Sequence, residues 1–68
     1  MPEKLANRLK AKRGDLGWTQ AELAERCGVT RKTVNTVENG VFVPSTLLAL
    51  KIARALNEPV ERLFWLAD

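Results

Sequence analysis

The fold is decided by residues 19–40, which read TQAELAERCGVTRKTVNTVENG. The pattern predicts two short helices, at about residues 20–27 and 31–38, joined by a turn of about three residues centred on Gly28. Each helix follows a threonine, which is a good N-cap, and the first also has the glutamate of a capping box three residues later. So tight a turn needs a positive φ, which glycine adopts without steric cost.

The inner faces of these two helices are suited to close packing. The first helix places Leu23, Ala24 and Cys27 on one face, and the small Ala24 permits a close crossing. The second helix offers Val34 and Val37, one turn apart, to pack back against it. Two helices that meet in this way form a helix-turn-helix, whose second helix is presented to the major groove of DNA.

Three further segments lead to an all-α prediction with five helices. The first, at about Glu3–Arg13, has two leucines four residues apart. The fourth, at about Thr46–Leu56, is apolar around most of its circumference, which is typical of a helix buried on more than one side. The fifth spans about Pro59–Trp65. No stretch alternates for long enough to predict a strand, and residues 41–43 are predicted as a loop.

The composition of the chain argues against several classes of function. The 68 residues carry 11 Lys and Arg against 8 Asp and Glu, a net charge of +3, with one cysteine and no histidine. One cysteine cannot form an internal disulfide, and the absence of histidine argues against a zinc site or general-base catalysis. We therefore expect a single domain over residues 1–68 that is not an enzyme and uses no metal or cofactor. Without a signal-peptide core or membrane span, and with the lone Cys27, we expect it in the cytoplasm.

Residues 18–34 resemble the LTQxELAxxxGVSRxTI signature of the Cro/repressor-type (XRE-like) helix-turn-helix family. The VENG at 37–40 is similar to the family's IENG, and residues 44–56 are similar to its PSxxxLxKIAxAL. The VERLF at 60–64 resembles the SxEELF ending, with Pro59 in place of the usual serine.

These pieces cover about Leu5–Phe64 in the family's order and spacing. The resemblance implies a five-helix, lambda-repressor-like domain whose helix-turn-helix unit spans about residues 19–39. It also implies double-stranded DNA as the partner and a homodimer on a pseudo-palindromic operator. We therefore interpret the chain as a sequence-specific transcriptional repressor. The alternative is an antitoxin or immunity-type module that binds a partner protein through its C-terminal tail.

The exposed start of the third predicted helix holds side chains that match base edges. Arg31 and Lys32 can pair with guanine O6 and N7. Asn35 matches adenine N6 and N7, and Thr36 matches a polar edge or a thymine methyl group. The resemblance places base reading at Arg31, Lys32 and Thr36, with Asn35 beside them. The other interpretation is a solvated surface without a ligand.

Phosphate contacts are expected at the edges of the unit. The free N–H groups and the dipole at the start of the second predicted helix favour an anion, and the resemblance assigns Gln20 to that contact. Thr30 and Thr33 could each donate a hydroxyl, and the resemblance assigns a second contact to Asn39 and the N–H of Gly40. Each of these residues is also explained as a cap or turn residue.

The resemblance further implies a partly buried ion pair between Arg13 and Glu38, which would join the first helix to the end of the third. The alternatives are two surface charges, or a contact between Arg13 and a DNA phosphate. Basic charge is concentrated nearby, because residues 1–13 hold five Lys or Arg and one Glu. The first predicted helix could therefore flank the DNA backbone.

The C-terminal segment is apolar and reads FWLA at 64–67. Such a segment is hard to bury within a small domain, and exposed apolar patches mark interfaces. A core of this size is also marginal without help from a partner. We therefore predict an isologous dimer interface at Leu56, Phe64, Trp65 and Leu66. The alternative is that Trp65 covers the domain's own core.

Overall fold

The computed structural model describes residues 3–67, which form five helices and two short strands. In chain order the elements are β1 (Lys4–Asn7), α1 (Leu9–Leu16), α2 (Gln20–Cys27), α3 (Arg31–Glu38), α4 (Thr46–Leu56), α5 (Val60–Leu63) and β2 (Phe64–Ala67). The strands pair into an antiparallel sheet, with Lys4 opposite Ala67 and Asn7 opposite Phe64. Among residues 3–67 no helix is long and apolar enough to cross a membrane.

The helices α2, α3 and α4 begin and end where the sequence predicts them. The capping box of α2 is closed, because Thr19 Oγ1 accepts the N–H of Glu22 at 3.1 Å while Glu22 Oε1 accepts the N–H of Thr19 at 2.8 Å. Gly28 ends α2 at a φ of 69°. The caps are formed by neighbouring residues, so these boundaries are encoded locally.

The all-α prediction is wrong at the first element. Residues 4–7 form β1, and α1 starts at Leu9 and continues to Leu16, beyond its predicted end at Arg13. Asn7 marks the change, because its Oδ1 accepts the N–H of Leu9 at 3.1 Å and its Nδ2 donates to the carbonyl of Val37 at 3.0 Å. The side chain thus satisfies a free amide of α1 and ties the end of β1 to α3.

The last element also differs from its prediction. The spacing predicts a helix up to Trp65, but α5 ends at Leu63 and residues 64–67 form β2. Both strands are four residues long and lie at opposite ends of the described chain. They exist because they pair with each other, and segments this short carry no alternating pattern that would reveal them.

The helices enclose one hydrophobic core, to which α1–α5 and β2 all contribute. Its least accessible side chains are Leu9, Leu23, Val34, Val37, Ile52, Leu56 and Leu63. Cys27 also lies in the core, where burial raises the pKa of its thiol. The sequence predicts that α4 is buried on more than one side. Within the chain it is buried on one side only, because Leu47 and Leu50 remain 65% and 54% exposed.

Candidate DNA interface

Helix α3 turns one face to the core and the other to solvent. Val34 and Val37 are buried in the core beside residues of α2. The opposite side brings together the four residues predicted to read bases, which are Arg31, Lys32, Asn35 and the half-buried Thr36. The packing of α2 against α3 thus presents these side chains outward as one surface.

Arg13 of α1 and Glu38 of α3 form an ion pair with two hydrogen bonds. Arg13 Nε donates to Glu38 Oε2 at 2.8 Å, and Arg13 Nη2 donates to Oε1 at 3.1 Å. The remaining Nη1 donates to the carbonyl of Trp18 at 2.8 Å, so the guanidinium is directed inward rather than towards a phosphate. The side chains are 13% and 4% exposed, which makes the pair partly buried.

The pKa values of this pair follow from its geometry. The hydrogen bond to Glu38 raises the pKa of Arg13 above its ordinary value. Burial alone would raise the pKa of Glu38, but hydrogen bonds from Arg13 and Gln20 outweigh it and hold that pKa below its ordinary value. Glu38 is therefore ionised and acts only as an acceptor.

Gln20 extends the network from the ion pair to the exposed face of α3. Its Nε2 donates to Glu38 Oε1 at 3.0 Å and to Asn35 Oδ1 at 3.1 Å. Both protons of the amide are thus used inside the protein. In this arrangement the side chain has no proton left for the predicted phosphate contact. The donor that matches the prediction at this position is the main-chain N–H in the first turn of α2.

The amide of Asn35 has a defined orientation as a result. Its Oδ1 accepts from Gln20 and also from Asn39 Nδ2 at 3.1 Å, which occupies both lone pairs. The side chain therefore presents its Nδ2 protons, and these suit purine N7 or guanine O6. A bidentate contact with adenine also needs a free Oδ1. The predicted adenine contact would require this network to open.

The other predicted phosphate ligands make bonds within α3 and its caps. Thr30 Oγ1 accepts the N–H of Thr33 at 3.2 Å, and the two hydroxyl oxygens are 3.1 Å apart. Asn39 Nδ2 also donates to the carbonyl of Asn35 at 2.9 Å. The N–H of Gly40 donates to the carbonyl of Val37 at 3.1 Å. The cap and turn roles are thus present, and Gly40 has its amide engaged at the end of α3.

Comparisons with known proteins place the chain in a family. A helix-turn-helix family model matches residues 9–63, which is most of the chain. The chain belongs to the XRE-type helix-turn-helix family. It is 45% identical over 64 residues to YgzD, an uncharacterized HTH-type transcriptional regulator of Bacillus subtilis. The alignment covers 94% of this chain and 97% of YgzD. An uncharacterized HTH-type regulator of Methanothermobacter thermautotrophicus is 51% identical over 61 residues, with 88% of each chain covered.

Two further matches carry more specific names. The restriction-modification controller protein C.AhdI of Aeromonas hydrophila superimposes with a TM-score of 0.78 and 36% identity, over 82% of this chain and 85% of that one. Antitoxin HipB of Escherichia coli K12 is 36% identical over 56 residues, which are 82% of this chain and 64% of HipB. This helix-turn-helix protein is thus a DNA-binding regulator by family.

The basic residues at the start of this helix-turn-helix protein fall into two groups, those in ion pairs within the chain and those that are exposed. Arg13 is engaged with Glu38, and Lys12 Nζ lies 3.5 Å from Glu58 Oε1. Lys4, Arg8 and Lys10 are exposed. Part of the basic charge predicted to flank DNA therefore contributes to internal ion pairs.

The structure divides the four residues predicted to form a dimer interface. Leu56 and Phe64 are 1% and 8% exposed and belong to the core of the helix-turn-helix domain. Trp65 and Leu66 on β2 are 45% and 63% exposed. Of these four residues, Trp65 and Leu66 are thus accessible to a second copy, whereas Leu56 and Phe64 are buried in the chain's own core.

The loop that follows α3 exposes apolar side chains for which the sequence pattern predicts no binding role. Val41 and Phe42 are exposed, and with Lys32, Thr33 and Thr36 they line one shallow cavity. The available signal was a run of three large apolar residues, VFV, between a glycine and a proline. An apolar run in a loop indicates a contact outside the core when nothing within the domain covers it.

Proposed function

We propose that the protein is a sequence-specific repressor that places α3 in the major groove of operator DNA. The observation that carries this proposal is the hydrogen-bonded chain from Arg13 through Glu38 and Gln20 to Asn35. It joins α1, α2 and α3 and holds a reading side chain in one orientation. Such preorganisation reduces the entropy lost on binding, which a solvated surface without a ligand would not need.

We propose further that two copies bind one pseudo-palindromic operator. The support is the apolar surface that the chain leaves uncovered, at Trp65 and Leu66 of β2 and at Leu47 and Leu50 of α4. In a two-fold dimer the two α3 helices would lie about 34 Å apart and reach half-sites on one face of the duplex. An occupied operator would repress transcription by blocking the polymerase sterically.

The test is a binding titration of the full chain. DNA selected by the protein from a random pool is compared with a scrambled duplex of the same composition at several salt concentrations. We expect the selected DNA to bind at least about 10³-fold more tightly, and both affinities to fall as salt is raised. Equal affinity for the two duplexes at every salt concentration would reject sequence-specific regulation.

The match to HipB favours a second candidate, an antitoxin-type module. In that case Trp65 and Leu66 would dock a second protein, and DNA binding could coexist with it. A pull-down from the native host with the intact chain and with Trp65→Ser is the discriminating experiment. Stoichiometric recovery of one toxin-like protein by the intact chain alone would support this candidate, and recovery of none would leave the repressor as the better account.

A further inference from the structure

Val41 and Phe42 form an apolar patch beside the reading helix. Their side chains are 77% and 48% exposed. They share one open cavity with Lys32, Thr33 and Thr36, so the patch continues the surface of α3. We call Val41, Phe42 and the methyl group of Thr36 the methyl patch.

The methyl patch is held to α3 by its backbone. The N–H groups of Val41 and Phe42 both donate to the carbonyl of Thr36, at 2.9 and 3.1 Å. This carbonyl is one of the C-terminal groups that a helix leaves unpaired, so the loop takes the place of the next turn. The loop therefore moves with the helix, and its apolar side chains stay in register with the base-reading residues.

Thr36 adds its methyl group to the patch because its hydroxyl makes a hydrogen bond within α3. Thr36 Oγ1 donates to the carbonyl of Thr33 at 2.9 Å. The hydroxyl proton is thus used within α3, and the side chain can present its methyl group. Residues 39–46 contain no ionisable side chain, so nothing in the loop repels phosphate, and Lys32 on the same cavity supplies positive charge.

We propose that the methyl patch contacts the C5-methyl group of thymine in the major groove, next to the base pair reached by Lys32. This inference rests on the proposed function, in which α3 enters that groove. The C5-methyl is the apolar group that standard bases offer there, and it distinguishes thymine from cytosine. The occupant of the patch is therefore a thymine edge in the bound DNA.

The test uses deoxyuridine, which differs from thymidine only in lacking this methyl group. Each thymine of the selected half-site is replaced singly, and the affinity of the full chain is measured. We expect a loss of about fourfold at one or two positions, the equivalent of about 0.8 kcal/mol for one buried carbon. The variants Val41→Ala and Phe42→Ala should bind the thymine duplex more weakly and lose their sensitivity to deoxyuridine at those positions.

Val43→Ala is the matched control, because Val43 is 68% exposed in the same loop but lies outside the cavity shared with Lys32. It should keep the full response to deoxyuridine. Indifference of the wild type to deoxyuridine at every position would overturn the proposal, as would responses that survive in both Val41→Ala and Phe42→Ala. Selective binding by the wild type is established first, so a failed methyl contact is distinguishable from a failed proposed function.

Discussion

The amide of Asn35 shows how a partly buried charge can decide what a surface residue binds. Glu38 can only accept, so it fixes the amide of Gln20, and the donated proton of Gln20 then fixes the amide of Asn35. An asparagine in this sequence pattern predicts adenine recognition. The sequence could not reveal that the Oδ1 of Asn35 is already occupied, because this hydrogen bonding depends on how α1, α2 and α3 are placed relative to one another.

Base analogues test the orientation of Asn35. Purines of the selected half-site are replaced singly by their 7-deaza analogues, which lose N7 and keep Watson–Crick pairing. We expect one position at which the affinity of the wild type falls about tenfold while Asn35→Ala is indifferent, since one good side-chain contact contributes about 1–3 kcal/mol. A comparable loss through Asn35 on removal of an adenine 6-amino group would show that the amide accepts, contrary to this assignment.

Glu38→Gln should destabilise the fold strongly. It leaves the guanidinium of Arg13 partly buried without its carboxylate, which costs about 3 kcal/mol. Urea unfolding measures the loss, and Glu25→Gln at an exposed site of α2 is the control, with an expected change within about 0.5 kcal/mol.

The double variant Arg13→Met with Glu38→Leu separates stability from recognition. Replacing both charges by apolar groups should recover much of the unfolding free energy. Selectivity for the selected DNA should nevertheless be lost, because Gln20 no longer has an acceptor at Glu38. Wild-type selectivity in this variant would mean that the network does not orient the reading surface.

Acid should weaken the fold through the same group. The pKa of Glu38 lies below its ordinary value of 4.5 when the chain is folded, so the unfolded chain takes up the proton first. The contribution of Glu38 to the unfolding free energy is therefore fully present above that ordinary value. It falls as the pH drops below that value and through the folded pKa. Unfolding in urea at about pH 7 and about pH 3 measures the difference. The double variant should show a smaller fall, and an equal fall would assign the acid sensitivity to other carboxylates such as the capping Glu22.

At the scale of elements, the sequence predicts what neighbouring residues determine. The bounds of α2 and α3 follow from Thr19, Gly28 and Thr30, each of which caps a helix through residues at most a few positions away. The strands β1 and β2 have no such local signal, because their pairing partners lie at the other end of the chain. The boundary between helix and strand is therefore the least predictable feature of this fold.

Two glycines should respond in opposite ways to the same substitution. Gly28 has a φ of 69°, where a side chain is strained, whereas Gly14 lies within α1 and a Cβ there would meet no atom within 4 Å. We expect Gly28→Ala to lower the unfolding free energy by about 1 kcal/mol or more, and Gly14→Ala to raise it by about 0.5–1 kcal/mol. Thermal and urea unfolding of the two variants, measured together, check the signs. Equal effects would contradict this account of where the helices end.

At the scale of the whole molecule, the chain of 68 residues leaves several large apolar side chains exposed. Four of them lie on β2 and α4, outside the proposed base-reading face of α3: they are Trp65, Leu66, Leu47 and Leu50. A chain of this size has a marginal core, so burying this surface against a second copy would add stability as well as set the spacing of two α3 helices.

Sedimentation over a range of protein concentrations tests the dimer. We expect a two-fold assembly for the wild type, a shift towards monomer for Trp65→Ser, and a thermal midpoint that rises with concentration in the wild type. Val43→Ala truncates an apolar side chain that is even more exposed, at 68% against 45% for Trp65, but lies outside the β2 segment, and it should leave the assembly unchanged. An undisturbed dimer in Trp65→Ser would show that Trp65 is not part of the interface, and Leu47 and Leu50 of α4 would be substituted next.

The sheet has a consequence for the order in which the fold closes. Pairing Lys4 with Ala67 joins segments separated by nearly the whole chain, whereas the contacts between α2 and α3 are between near neighbours in sequence. Closing so long a loop costs more entropy than forming the local turn, so the sheet should form after the helix-turn-helix and open before it. In amide hydrogen exchange, β1 and β2 should then lose protection while α2 and α3 still hold theirs. The sheet therefore closes over a core that has already formed. Its opening would release Asn7, and with it the start of α1, from α3.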